Sequence, residues 1–263
     1  MSDSKGKVAI VTGSATGVGA EVALQLAQRG CNVVINYTKS EAEAKEAQAA
    51  CDALGVETLL CQADVSKDED CRRMADAALE KWGRIDVLVN NAGTSKFVAH
   101  EDLGGLSAED FQRIYGVNVI GPYQMTRAVT PAMKAQGKGS IVMVSSIAGL
   151  QGIGSSIAYA ASKGALNTMT KSLARALGPE IRVNCVCPGF IDTRWLRTGL
   201  GDERFDKLKD QVKKSNTLHG ASTPVEVADP IIYFALGAPH TTGDIIVVDA
   251  GTHLGPPNKL QRV

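Results

Sequence analysis

A glycine-rich turn near the start of the chain limits the fold more tightly than any other feature of the sequence. An apolar run at residues 7–11 leads into TGSATGVG at residues 12–19, and an amphipathic helix is predicted from there to residue 30. Glycines let the backbone approach a ligand closely, and a helix N-terminus offers unpaired N–H groups to a phosphate. This order of strand, turn and helix predicts a dinucleotide site, although the turn taken alone is equally compatible with a structural role.

Strand and helix patterns alternate along the rest of the chain. Apolar runs predict strands at residues 7–11, 32–36, 56–61, 85–89, 140–145, 181–186 and 244–249. Long helices are predicted at residues 107–136 and 154–177, and Thr223, Pro224 and Glu226 match a capping box of a helix that Pro230 should kink or end. The alternation predicts one doubly wound, Rossmann-type α/β domain over residues 1–263, with a parallel sheet of about seven strands and helices on both faces.

Charge and cysteine content argue against several classes of partner. The 28 basic and 28 acidic residues give a net charge of zero without long runs of either sign, so we expect a small-molecule substrate, no nucleic acid and no membrane. The polar N-terminus is followed by only five apolar residues, which is too few for a signal peptide or a membrane span and predicts a cytoplasmic protein. The six cysteines have no C-x-x-C spacing and no histidine cluster beside them, which predicts buried, reduced thiols and no metal site.

Tyr159 and Lys163 form the sequence's clearest chemical pair. They are four residues apart on a predicted helix and therefore share one face. A cation near a tyrosine stabilises the phenolate and lowers its pKa from about 10 toward neutrality. An ordinary pair on a helix surface is the plain alternative for these two residues alone. The same chain also carries NNAG at residues 90–93, VSS ending at Ser146, and the pair Pro188-Gly189.

In this order, with TGSATGVG, these motifs resemble the short-chain dehydrogenase/reductase family over residues 6–252, and in particular its 3-oxoacyl-carrier-protein-reductase-like members. The resemblance implies reversible hydride transfer between a nicotinamide cofactor and a carbonyl or secondary alcohol. It implies that Ser146 polarises the carbonyl, that Tyr159 is the proton donor, and that Lys163 lowers the Tyr159 pKa and holds the nicotinamide ribose. Asn118 would anchor a water through a local distortion of its helix; without the resemblance we would interpret it as a neutral surface residue.

The resemblance also implies which residues bind the cofactor. These are Gly13, Ser14, Thr16, Gly17, Val18, Gly19, Tyr37, Thr38, Lys39, Ser40, Asp64, Val65, Asn91, Ala92, Gly93, Tyr159, Lys163, Pro188, Gly189, Ile191 and Thr193. Asp64 would contact the adenine, or it could simply begin the following helix, which ends near residue 82.

We expect NADP(H) to be preferred, with NAD(H) as an alternative cofactor. Relatives that prefer NAD place an acidic residue at the end of the second strand, where this chain has Tyr37, and the hydroxyls and cation of Thr38, Lys39 and Ser40 suit a phosphate. The alternative is that Lys39 is a solvated loop charge and that Ser40 only caps a helix.

Two further segments point to a lid and to an oligomer. Residues 191–221 mix aromatic, apolar and charged residues, as expected of a substrate lid. The helix at residues 154–177 is apolar on more than one face, which predicts a homo-oligomer, either a tetramer or a dimer.

The favoured function is reduction of a 3-oxoacyl thioester or a general ketone. A sugar or polyol dehydrogenase is the enzymatic alternative, and a nucleotide sensor without turnover is the alternative of another class, against which the four catalytic candidates argue.

Overall fold

The computed structural model describes residues 4–255 and contains a single parallel sheet of seven strands. The strands are β1 (Val8–Val11), β2 (Asn32–Tyr37), β3 (Thr58–Gln62), β4 (Val87–Asn90), β5 (Gly139–Val144), β6 (Ile181–Pro188) and β7 (Ile245–Val248). Their order across the sheet is β3-β2-β1-β4-β5-β6-β7, and every neighbouring pair is parallel. The predicted doubly wound α/β fold is confirmed.

Both faces of the sheet are covered, which explains why its strands are apolar without alternation. Along β1, Ala9 and Val11 point into one core cluster, and Val8 and Ile10 point into the other. The helices are α1 (Gly17–Gln28), α2 (Glu41–Asp52), α3 (Asp68–Trp82), α4 (Ala108–Tyr115), α5 (Gly121–Ala135), α6 (Ala148–Gln151), α7 (Ile157–Leu177), α8 (Arg194–Leu200), α9 (Asp202–Ser215) and α10 (Pro224–Leu236).

The helices divide between the two faces of the sheet. Residues of α1, α2 and α10 belong to the first core cluster, and residues of α3, α5 and α7 belong to the second. Strand β1 lies between β2 and β4, so the chain leaves the sheet in opposite directions on the two sides of this point. Ligands of open α/β sheets bind outside the carboxyl ends of the strands at such a point.

The long helix predicted at residues 107–136 is divided by a π-helical segment, Gly116–Ile120, between α4 and α5. Pro122 lies four residues after Asn118 and has no N–H, so the usual helical hydrogen bond to the Asn118 carbonyl cannot form. Pro122 therefore explains the distortion of this helix.

Two helix boundaries differ from interpretations that the sequence allowed. Helix α3 begins at Asp68, not at Asp64, because the Asp64 carboxylate accepts hydrogen bonds from the Ser66 N–H and hydroxyl in a separate turn. Helix α10 continues through Pro230 to Leu236, so of the kink or end predicted at this proline, the end does not occur. Buried side chains before and after Pro230, including Val227 and Ile231, pack α10 on the sheet, and this packing compensates for the missing hydrogen bond.

The segment predicted as a lid contains two helices, α8 and α9, joined at Gly201. It is tied to the chain that follows it by a parallel bridge between Ile191 and Ser222. Within residues 4–255, no helix is both long enough and apolar enough to cross a membrane.

Candidate active site

The glycine-rich turn lies at the carboxyl end of β1 and leads directly into α1. Gly13 and Gly17 have φ angles of +62° and +60°, which favour glycine. A Cβ at Gly19 would lie 2.4 Å from the Gly13 carbonyl oxygen, so a side chain there would force the turn open. The N-cap residue Thr16 makes no side-chain capping hydrogen bond, and the first turn of α1 has no acidic residue. The turn therefore fits the pyrophosphate of a dinucleotide.

The turn is held in place by a buried polar pair beneath it. The Asn36 side-chain oxygen accepts the Gly13 N–H at 2.8 Å. The Ser14 hydroxyl donates to the Val11 carbonyl at 2.7 Å and accepts the Asn36 N–H at 2.8 Å. Ser14 was predicted to bind the cofactor, but its side chain is fully buried and supports the turn from within. Sequence reasoning missed Asn36, although an asparagine inside an apolar strand was a visible signal.

The NNAG motif is tied to the same turn across the sheet. The Thr12 hydroxyl oxygen accepts the backbone N–H groups of Asn91 and Ala92, each at 3.0 Å. The Asn91 side chain donates to the Thr12 and Gly13 carbonyls at 2.9 and 3.1 Å. These contacts fix the ends of β1 and β4 relative to each other, so the two predicted cofactor segments form one rigid surface.

The residues predicted at the adenosine end lie together at the end of β2. Tyr37 is buried, whereas Thr38 and Lys39 are exposed. Ser40 is the N-cap residue of α2, but its hydroxyl makes no capping hydrogen bond. The interpretation of Ser40 as only a cap therefore has no bond to support it. Arg194 of α8 also reaches this edge, where its guanidinium lies 2.7 Å from the Glu43 carboxylate in the first turn of α2.

The other predicted cofactor residues are placed around these two segments. Val65 is buried and packs closely against Gly121. Gly189 packs against Asp249, where a Cβ would lie 2.6 Å from the Asp249 Cβ. Thr193 faces the glycine turn, since a Cβ added at Gly17 would lie 3.8 Å from the methyl carbon of the Thr193 side chain.

Ser146 and Tyr159 meet between the end of β5 and the start of α7. The Ser146 side chain is near enough to the Tyr159 hydroxyl to act on its pKa. The Ser146 oxygen also accepts the Ala148 N–H at 3.1 Å and lies 3.4 Å from the Pro188 carbonyl oxygen. Tyr159 is positioned by the N-terminus of α7, where the Ser156 hydroxyl caps the helix by accepting the Tyr159 N–H. Two hydroxyl groups that meet in this way can both reach one carbonyl oxygen.

The lowered pKa predicted for Tyr159 is wrong for this arrangement. Burial raises the pKa of Tyr159 to about 12, and the nearby Ser146 side chain opposes this shift only in part. The Lys163 ammonium lies 5.7 Å from the centre of the Tyr159 ring, and it donates to the Val144 carbonyl at 2.8 Å. Desolvation of the phenol is therefore the largest effect on its pKa.

Lys163 is itself an unusual buried cation. It is only 3% exposed, and burial lowers its pKa to about 8. Gly93 lies beside it, since a Cβ at Gly93 would be 3.7 Å from the Lys163 nitrogen and 3.6 Å from the Asn118 side-chain oxygen. Three predicted site residues from three different elements thus meet at one point.

Replacing Lys163 with methionine should change how stability depends on pH. The pKa of about 8 lies below the unfolded value of about 10.5, so the wild-type fold is destabilised below pH 8 and recovers as pH rises toward 10.5. Over that window, wild type should gain up to about 3 kcal/mol of unfolding free energy relative to the variant. Urea unfolding at pH 7 and pH 9.5 measures the difference, with Lys171→Met on the exposed side of the same helix as control. If the difference in unfolding free energy between wild type and Lys163→Met were the same at both pH values, Lys163 would not be a buried group that titrates in this range.

Asn118 is fully buried, so its interpretation as a neutral surface residue is wrong. Its side-chain oxygen accepts the Thr94 N–H at 2.8 Å, and its amide donates to the Thr94 carbonyl at 2.9 Å and to the Ser162 hydroxyl at 3.0 Å. The Ser162 hydroxyl in turn donates to the Tyr159 carbonyl at 2.7 Å. The side chain of Asn118 thus joins the loop after β4 to the helix that carries Tyr159.

The cysteines lie in the core, as their spacing predicted. All six are free and buried. Cys185 and Cys187 point to the same face of β6, with their sulfur atoms 4.0 Å apart and both near the Asn167 side-chain oxygen. In the described part of the chain, no group of three or more histidine, cysteine or carboxylate side chains could hold a metal ion.

Comparison with known proteins identifies relatives along nearly the whole chain. The sequence profile of a family described as enoyl-(acyl carrier protein) reductase matches residues 13–253. A Streptomyces violaceoruber protein, named as ketoacyl reductase 2 of the granaticin polyketide synthase, is 42% identical over 94% of this chain and 96% of its own length. The 3-oxoacyl-[acyl-carrier-protein] reductase of Staphylococcus epidermidis is 33% identical over 94% of this chain and 99% of its own length.

A solved structure shares the architecture. A Burkholderia xenovorans protein, described as a short-chain dehydrogenase/reductase, superimposes with a TM-score of 0.88. It is 41% identical in sequence, and the match covers 95% of this chain and 98% of that protein.

Proposed function

Because the chain belongs to the short-chain dehydrogenase/reductase family, and is therefore an NAD(P)-dependent oxidoreductase, we propose that it uses NADPH to reduce the carbonyl of a 3-oxoacyl thioester or another ketone. The observation that carries the proposal is the meeting of the Ser146 and Tyr159 hydroxyls beside the buried Lys163. This group lies at the carboxyl end of the sheet, next to the turn that fits a dinucleotide.

The nicotinamide supplies the hydride when the cofactor is bound. Ser146 donates a hydrogen bond that polarises the carbonyl oxygen. Tyr159 gives its proton to the same oxygen, and a pKa of about 12 keeps the phenol protonated at neutral pH, as a proton donor requires.

Lys163 acts on the products of the proton transfer. With a pKa of about 8 it is mainly protonated at pH 7, so it places a positive charge near the phenolate that Tyr159 leaves behind. Its position beside Gly93 also suits a hydrogen bond to the nicotinamide ribose. The Asn118 side chain holds together the loop after β4 and the helix that carries Lys163. The Asn118 backbone carbonyl could bind the water that returns a proton to Tyr159.

An assay panel tests the function directly. Ketones and 3-oxoacyl thioesters with NADPH, and sugars and polyols with NADP⁺, are followed by the absorbance of the reduced nicotinamide. Reduction of a ketone or a thioester supports the proposal. Oxidation of polyols without carbonyl reduction would assign the enzyme to the sugar or polyol alternative, and nucleotide binding without any turnover would favour a sensor.

We propose NADPH as the preferred cofactor. Tyr37 provides no carboxylate to bind a ribose 2′-hydroxyl or to repel a 2′-phosphate, and the Ser40 hydroxyl is free of capping bonds at the start of α2. Arg194 brings a second cation to the same edge as Lys39, although Glu43 pairs with it.

Replacing Tyr37 with aspartate should lower the ratio of kcat/KM for NADPH to that for NADH by at least about 10-fold, because the new carboxylate repels a 2′-phosphate. Lys39→Ala should weaken NADPH selectively. Lys45→Ala, at an exposed site on α2, is the matched control for the lysine. An NADH preference of the wild type, or equal loss of both cofactors in the Lys39 variant, would defeat the assignment.

We also propose a single domain with residues 191–221 as a substrate lid, and a homo-oligomer that is either a tetramer or a dimer. Arg194 and Thr193 extend from the lid segment over the glycine turn and α2, which supports a closing role. The exposed apolar side chains of Phe111, Ile120 and Tyr123 on the α4–α5 helix support an oligomer interface there. A cytoplasmic location stays a prediction of the sequence.

A further inference from the structure

Two aromatic side chains lie beside the proposed proton donor. The Trp195 ring centre is 6.2 Å from that of Tyr159, and the two rings are tilted by 39°. The Phe97 ring centre is 5.6 Å from that of Trp195, with a tilt of 53°. Trp195 comes from α8 and is 44% exposed, whereas Phe97 comes from the loop after β4. Two distant parts of the sequence therefore form one aromatic surface, which we call the aromatic wall.

Helix α8 carries a glycine at the place where the Phe97 ring lies. A Cβ at Gly199 would be 2.0 Å from one ring carbon of Phe97 and 2.2 Å from the next. Glycine is a weak helix former, and Gly199 lies in the last turn of α8. The Phe97 ring can occupy this position only because residue 199 has no side chain. The packing of α8 thus places Phe97 next to Trp195.

The cations next to the two rings in sequence are engaged elsewhere. Lys96 donates to Asp110 at 2.6 Å, and Arg194 donates to Glu43 at 2.7 Å. Both side chains therefore point toward carboxylates on other elements. An aromatic surface packs well against flat, unsaturated groups, but its ring faces give the hydroxyls of a sugar or polyol no strong hydrogen-bond acceptor. The chemistry of the wall suits an apolar, planar ligand.

We propose that the aromatic wall of Phe97 and Trp195 binds the group attached to the substrate's carbonyl carbon, so that the enzyme prefers ketones in which this group is aromatic or conjugated. The inference rests on the carbonyl reduction proposed above. A carbonyl oxygen placed between the hydroxyls of Ser146 and Tyr159 brings its substituent toward Trp195, the aromatic ring next to that of Tyr159. A planar substituent gains π contact there, and a saturated one gains only apolar contact.

Two ketones of similar size separate these contributions. Acetophenone and cyclohexyl methyl ketone both carry a six-membered ring on the carbonyl, but only the first has a flat π system. The ratio of their kcat/KM values with NADPH is measured in wild type, Trp195→Leu, Trp195→Ala and Phe97→Leu. Comparing the ratio between proteins cancels the intrinsic reactivity of each ketone. We expect Trp195→Leu and Phe97→Leu each to lower the ratio by about 5-fold or more. Trp195→Ala should lower kcat/KM for acetophenone by at least about 20-fold.

The other tryptophan provides the matched control. Trp82 ends α3 and donates its indole N–H to Glu57, so Trp82→Leu should leave the ratio unchanged. NADPH binding, followed by nicotinamide fluorescence, shows whether each variant keeps its cofactor site. If the Trp195 variants lose NADPH binding, the ratio measured in Phe97→Leu tests the wall, because Phe97 lies outside the proposed lid at residues 191–221.

The outcomes separate the wall from the reaction itself. An unchanged ratio in Phe97→Leu and in any Trp195 variant that binds NADPH would overturn the wall. A wild-type enzyme that reduces a 3-oxobutanoyl thioester but neither ring ketone would also overturn the wall. The proposed function would stand in that case. If no carbonyl compound of the three is reduced, the proposed function fails and the wall fails with it.

Discussion

Replacing Tyr159 with phenylalanine should lower kcat/KM for carbonyl reduction by at least about 100-fold, while NADPH binding stays close to that of the wild type. A positioned proton donor contributes roughly 10²- to 10⁴-fold to such a reaction. The substitution removes one oxygen atom, but it keeps the ring that packs near Trp195. The aromatic wall therefore stays in place, and the decrease in kcat/KM measures the contribution of the Tyr159 proton.

Single-turnover and steady-state rates with NADPH, together with the affinity for NADPH, measure this effect. Tyr233→Phe is the matched control, because Tyr233 is exposed on α10. Lys163→Ala should behave differently and harm both turnover and cofactor binding, since Lys163 lies beside Gly93 as well as Tyr159. A Phe variant of Tyr159 that kept more than about a tenth of wild-type kcat/KM would remove Tyr159 as the proton donor.

The parts of the fold that sequence could predict depend on local rules. Gly13 and Gly17 have positive φ angles, so their place after an apolar strand left few alternatives to a strand, turn and helix unit. The central strands are buried on both faces and read as continuous apolar runs, which is why the seven strands were found. Motif order then predicted that Ser146, Tyr159 and Lys163 would come together.

The errors and omissions come from contacts between distant parts of the chain. Pro230 should have ended a helix by its own chemistry, but the packing of its neighbours on the sheet prevailed. The burial of Asn118 depends on Thr94 and Ser162, which lie 24 and 44 residues away. The Tyr159 pKa rises because the phenol is desolvated, and a spacing of four residues carries no information on burial.

The aromatic wall illustrates the same limit. Phe97 lies against a helix about 100 residues further along the chain, and the absence of a side chain at Gly199 is what allows the contact. A glycine inside a short helix can mean a hinge, an end or a close approach, and only the fold decides between them.

Replacing Gly149 with alanine should lower kcat/KM by about 100-fold without touching any group that contacts substrate. Helix α6 crosses α7 at this glycine, where an added Cβ would lie 2.4 Å from the Lys163 carbonyl carbon and 2.5 Å from the Gly164 nitrogen. These are backbone atoms, so they cannot turn aside, and the two helices must separate. Ser146 lies just before α6, and its carbonyl accepts the Gly149 N–H at 3.1 Å. Separation therefore moves Ser146 away from Tyr159, and a displacement of about 1 Å can cost 10²-fold in rate.

Gly164→Ala provides a control on the other side of the same helix crossing. Its Cβ would lie 3.4 Å from the Gly149 carbonyl oxygen, an ordinary contact, so activity should stay near that of the wild type. Steady-state kinetics with NADPH, NADPH affinity and urea unfolding distinguish misplacement from unfolding. For Gly149→Ala we expect a stability loss of about 1–3 kcal/mol and a loss of NADPH affinity that is smaller than the loss of kcat/KM, because the glycine turn at Gly13 belongs to another part of the sheet. Wild-type kcat/KM in this variant would mean that α6 does not set the distance between the two hydroxyls, and equal losses in both variants would mean that the crossing as a whole is fragile.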